Sequence, residues 1–215
     1  MKRAARTGAM RGLAAISLHL SLVLWTAGCG HLPKIIVLED PLSADEHVVL
    51  GVAYERKGEL ALAASEYERA LSKDKAAFQA RFNLGNIRLA EKNYGKAKKE
   101  YLAALELRPG DPEATNNLCW AAIFTGSGLE DALRRMEAVM SAPAQRSPPL
   151  LDTLGVLLGE LFRPSEAEAA FAEAQLRCEE RHPLCTEAVR EELREHREAL
   201  RIRRPDQRVA PSPAR

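Results

Sequence analysis

The residues with the most specific chemistry in this 215-residue chain are four cysteines and five histidines. Cys178, His182 and Cys185 form the run C-x3-H-x2-C around a turn made by Pro183. That run permits three chemistries: a disulfide in an oxidising compartment, a pair of free thiols, or three ligands of a metal site. No fourth ligand accompanies it and the spacing is not a known zinc pattern, so no metal is assigned. The leading reading is a Cys178–Cys185 disulfide closing a short loop. The other histidines (His19, His31, His47 and His196) are scattered along the chain. There is no set of nucleophile, base and orienting group, no phosphate-cradling glycine loop and no H-E-x-x-H pair. The expectation is therefore a non-enzyme without a cofactor.

Cys29 has a different context. Lys2, Arg3, Arg6 and Arg11 make a basic start with no acid before residue 29. Gly12 to Trp25 (GLAAISLHLSLVLW) is apolar but short for a membrane-spanning helix, which needs roughly 20 residues. Thr26-Ala27-Gly28-Cys29 follows and resembles the lipobox of bacterial lipoproteins, although Thr26 stands where that family has an aliphatic residue. The resemblance implies a signal peptide over 1–28, cleavage before Cys29 and a lipid on its thiol. An ordinary cleaved signal and an uncleaved anchor are the alternatives. Gly30 stands where inner-membrane lipoproteins carry Asp, which implies the outer membrane, facing the periplasm. Without the four N-terminal basic residues, the remaining 27 Lys and Arg face 30 Asp and Glu, a net charge of −3. That balance argues against a nucleic-acid partner.

The body of the chain repeats itself. Gly51 and Gly85 are 34 residues apart, each after a leucine. From Gly51 the offsets run to Tyr54, Gly58, Ala63, Tyr67 and Ala70. From Gly85 they run to Ala97, Tyr101, Ala104 and Pro109. Cys119 holds the glycine's place in a third copy, with one extra residue before Ala132 and Met136. Gly155, Ala167, Phe171 and Ala174 mark a fourth, after a polar, proline-rich loop from Ser141 to Pro149. The pattern is similar to that of the tetratricopeptide repeat (TPR) family. The expected fold is all-α: a TPR solenoid of four helix-turn-helix repeats at 44–77, 78–111, 112–147 and 148–181. A tether covers 29–43, a capping helix 186–203 and a disordered tail 204–215. In the cap, Val189, Leu193, His196 and Leu200 share one side at helical spacing. Small residues are expected where the two helices of a repeat cross, with the aromatic filling the space between neighbouring repeats.

In that family, certain positions of the first helix of each repeat line a concave face. Here they give Val52, Gln79, Phe82, Asn83, Asn86, Asn117 and Trp120, along with Asn116, Phe124 and Asp152. An amide offers both donor and acceptor, so a row of Asn could hold a peptide by its backbone, with Trp120 as an apolar anchor. The alternative is that Asn83 and Asn117 bridge neighbouring helices and that Trp120 is core. The resemblance implies a protein partner or extended peptide in the cell envelope, met by a lipid-anchored scaffold. Asn116-Asn117-Leu118-Cys119-Trp120 is similar to a motif in TPR lipoproteins that assemble type IV pilus secretins. An accessory subunit of an exported peptidase or peptidoglycan-processing enzyme, and a self-associating structural spacer, are the competing readings.

Overall fold

The computed structural model describes residues 40–180 and 182–202. The signal segment, Cys29, most of the tether and the tail from 203 lie outside the described residues. The described secondary structure is all-α. Eight helices form four antiparallel pairs: α1 (Ala44–Arg56) with α2 (Leu60–Lys73), α3 (Phe78–Ala90) with α4 (Tyr94–Leu107), α5 (Pro112–Thr125) with α6 (Leu129–Met140), and α7 (Pro148–Glu160) with α8 (Pro164–Glu179). A further helix among the described residues, α9 (Glu187–Ile202), packs on α7 and α8.

Local signals explain where several helices begin. Ser43 and Glu46 form a capping box at the start of α1: Glu46 N–H donates to Ser43 Oγ, and Ser43 N–H donates to Glu46 Oε2. Asp111 caps α5 ahead of Pro112, and α7 and α8 also open on proline, which costs nothing where no backbone donor is needed. The connection after α6 is shorter than the expected loop, because a 3-10 turn (Pro143–Gln145) intervenes and α7 already starts at Pro148.

The turn inside each pair needs one residue in the left-handed region. Gly58 and Gly126 supply it at φ +76° and +61°. Lys92 and Phe162 occupy the same place in the second and fourth pairs at φ +59° and +57°. A side chain there costs of order 1 kcal/mol. The repeat geometry therefore overrides local preference at two of its four turns.

Apolar side chains gather in three clusters, each joining neighbouring pairs rather than filling one central core. This is the packing of a solenoid, in which each unit is stabilised mainly by its neighbours. The ring-on-glycine contact recurs within it. A Cβ added to Gly51 would lie 2.4 Å from Tyr67 Cε1, one on Gly85 would lie 2.6 Å from Tyr101, and one on Gly155 would lie 2.5 Å from Phe171. The aromatic thus packs on its own repeat's glycine and also fills the space to the next pair, Tyr67 beside Ala80 and Leu84, Tyr101 beside Ala114 and Leu118. In the third pair both members differ together: Cys119 and Met136 are buried in the same cluster. Burial pushes the Cys119 thiol up to about 12, so it stays protonated and inert. Among the other expected packing residues, Ala63, Ala70, Ala97, Ala104, Ala167 and Ala174 are fully buried, and Tyr54 lies partly buried against the first cluster.

Candidate functional site: the concave face

Along the array α3 touches α5 and α5 touches α7, so these first helices form one layer. The polar side chains of that layer differ in how far their hydrogen bonds are spent internally. Asn83 is 6% exposed, and its Nδ2 donates to Tyr67 Oη at 3.1 Å while its Oδ1 accepts from Gln79 Nε2 at 2.8 Å. It is a bridge between the first and second pairs, not a groove ligand, because both its functions are used internally. Tyr67 Oη donates to Glu55 Oε2 at 2.6 Å, and burial followed by this carboxylate raises the phenol's pKa far above its ordinary value.

The next junction repeats the scheme. Asn86 Oδ1 accepts from both Tyr101 Oη (2.8 Å) and Asn117 Nδ2 (2.9 Å), linking the second pair to the third. Asn86 and Asn117 are half-buried and positioned by these bonds. Val52 packs partly buried on the first cluster, and Phe82 packs partly buried between Phe78 and Tyr101. Gln79 is exposed.

Two neighbours carry more unspent capacity than this row. Asn116 Oδ1 is buried with no protein hydrogen-bond partner. Phe124 is 52% exposed and begins an aromatic run: Tyr94 to Phe124 at 4.5 Å, Phe124 to Trp120 at 5.7 Å, and Trp120 to the His196 ring at 5.5 Å between ring centroids. Trp120 is therefore neither free anchor nor sealed core. Tyr94 and His196 were not legible as part of this surface, because they come from α4 and α9, whereas the family positions cover only the first helix of each pair.

Asp152, also on this layer, is bonded to His196: the two approach at 2.7 Å (Oδ2 to Nδ1). The hydrogen bond to Asp152 raises the pKa of His196 above the ordinary histidine value, against its burial. Cys178 and Cys185 form a disulfide with Cα atoms 5.2 Å apart, joining the end of α8 to the approach of α9. Both thiols are thereby removed from any ligand set, and His182 Nδ1 instead accepts from Leu184 N–H. Among the described residues no cluster of metal-ligating side chains forms and no helix is long and apolar enough to cross a membrane.

Four helical hairpins, glycine–aromatic crossings and a face of amides and aromatics define a TPR-type scaffold, without a catalytic arrangement among the described residues. Residues 48–112 match the family model for the tetratricopeptide repeat. No curated protein matches it. Among solved structures it resembles a MamA of AMB-1 at 19% identity, covering 67% of this chain and 78% of that one with a TM-score of 0.58. It also resembles TTC0263, a thermophilic TPR protein of Thermus thermophilus, at 21% identity, 73% and 82% coverage and TM-score 0.56. YrrB, a TPR protein with an unusual peptide-binding site, matches at 19% identity, 76% and 88% coverage and TM-score 0.56. At these identities the likeness is one of fold.

Proposed function

We propose that this protein is a non-catalytic docking scaffold of the bacterial cell envelope, held at the outer membrane by a lipid on Cys29. Its concave face over α1, α3 and α5 takes an extended peptide or protein surface, in the service of assembling an envelope complex such as a secretin or pilus. The observation supporting the groove is Asn116 Oδ1, a buried acceptor with no protein partner, on the same helix as the exposed Phe124 ring. A backbone N–H of a bound strand would satisfy the acceptor, and an apolar side chain would cover the ring. YrrB offers a precedent for peptide binding on this fold.

The groove is tested with Asn116→Ala/Phe124→Ala, which leaves the Asn86–Tyr101–Asn117 junction in place. Affinity capture from envelopes is expected to fall about tenfold or more with an unchanged helical melt. Capture at the wild-type level would reject this face as the site. Asn83→Ala is the matched control for a structural role: it breaks the Tyr67 bridge and is expected to cost about 1 kcal/mol of stability. For the tether, Cys29→Ser is expected to accumulate uncleaved precursor, and normal maturation of that variant would reject the lipid anchor.

A further inference from the structure

We infer that α9 is an intramolecular occupant of the C-terminal half of the concave groove, and that a partner bound along the full groove must displace it. This rests on the concave face being the binding surface.

A helix that only extended the solenoid would meet the preceding pair, α7 and α8. The helix α9 goes further. His196 lies against Trp120, on α5, a whole repeat behind. It is hydrogen bonded to Asp152 at 2.7 Å on the concave layer of α7. Ala199 and Leu200 close over Val156 and Gly159 of the same layer, around a cavity of about 180 Å³. A Cβ on Gly159 would come within 3.1 Å of Leu200 Cδ1, so the glycine lets the helix lie close. The positions held by Asn116 and Trp120 in the third repeat are Asp152 and Val156 in the fourth, and both meet α9.

The contact is also lightly held. Leu193 is the only described residue of α9 that is buried. Leu200 packs partly buried against the same core cluster, and the remaining contacts are polar: His196 to Asp152, and Arg197 to Glu168 and Gln175 of α8. Asp152 Oδ1 is buried without a hydrogen-bond partner, so the latch satisfies only part of that carboxylate. The Cys178–Cys185 disulfide holds the start of the helix to α8, so a displaced α9 stays beside the groove.

The carboxylates around His196 favour its protonated form, and the guanidinium of neighbouring Arg197 is engaged by Glu168. Asp152 bonds it, Glu160 lines the same cavity from α7, and Glu192 and Glu195 lie along its own helix. On α8, Glu168 is engaged by Arg197 and Arg201, and α5 offers only the neutral Trp120. With the folded pKa raised, the latch is complete below the unfolded histidine's pKa and weakens as pH rises through the folded value.

The test uses the full chain in envelopes, with p-benzoylphenylalanine as the probe at either Phe124 or Val156. With wild-type α9, Phe124 is expected to crosslink another protein and Val156 its own helix α9. Adding His196→Ala is expected to raise intermolecular crosslinking from Val156 about tenfold, the effect of one charge-assisted hydrogen bond. Raising the pH acts in the same direction. If Val156 crosslinks the partner equally with and without His196→Ala, α9 is a plain end cap and the inference is wrong. If Phe124 crosslinks nothing in any form, the groove reading itself fails and the inference falls with it.

Discussion

Replacing Tyr101 by Ala is expected to destabilise the solenoid by about 3–5 kcal/mol, the cost of emptying a fully buried aromatic site. Tyr101 has no exposed surface, lies on Gly85 and donates to Asn86. Gly85→Ala attacks the same contact from the other side. It gains about 1 kcal/mol of helix propensity but forces a Cβ to within 2.6 Å of the ring, so its net effect is expected to be a loss of about 1–2 kcal/mol. The third repeat carries a different combination, Cys119 with Met136, both buried in one cluster. Gly85→Cys with Tyr101→Met transplants that combination. The double variant is expected to be more stable than the sum of its singles by about 1–3 kcal/mol in urea unfolding followed by helical signal. Strict additivity would mean that glycine and ring do not form one packing unit.

The second large effect is expected at His47 and Glu66. His47 is fully buried in α1, and its Nδ1 lies 2.7 Å from Glu66 Oε2 of α2, itself 7% exposed. Glu66→Leu takes away the hydrogen-bond partner of buried His47 Nδ1 and is expected to cost about 1–3 kcal/mol. His47→Leu/Glu66→Leu is expected to recover most of that loss, because an apolar pair of similar volume fits the junction. Thermal unfolding of the four forms measures this. A double variant as unstable as the worse single would show that the pair supports the fold through something other than mutual compensation.

These two sites show what was legible in the sequence and what was not. The glycine–aromatic crossings could be read at once, since a 34-residue period places Gly51 over Gly85 and Tyr67 over Tyr101. Four helical hairpins and a closing helix followed from that period. Two left-handed turns did not, because Lys92 and Phe162 sit where a single-residue reading expects glycine. The His47–Glu66 pair was hidden because a lone histidine and a glutamate in a charged helix look alike on any solvated face. On the concave face the difficulty was angular. Adjacent positions on a helix are about 100° apart, so Asn116 keeps an open acceptor while Asn117 turns to Asn86. Asn83 turned inward for the same reason, which removed it from the groove. The path of α9 was out of reach altogether: spacing marks Leu193, His196 and Leu200 as one side of a helix, but not the surface that side meets.

The central claim is that the concave layer, not the outer one, receives a partner. The most direct measurement is photo-crosslinking in envelopes from paired positions, Phe124 on the concave side and exposed Glu106 on the outer helix α4. Crosslinks to one extended segment of another protein from Phe124, with none from Glu106, are the predicted result. Crosslinks from Glu106 alone would contradict it and make the outer helices the working surface.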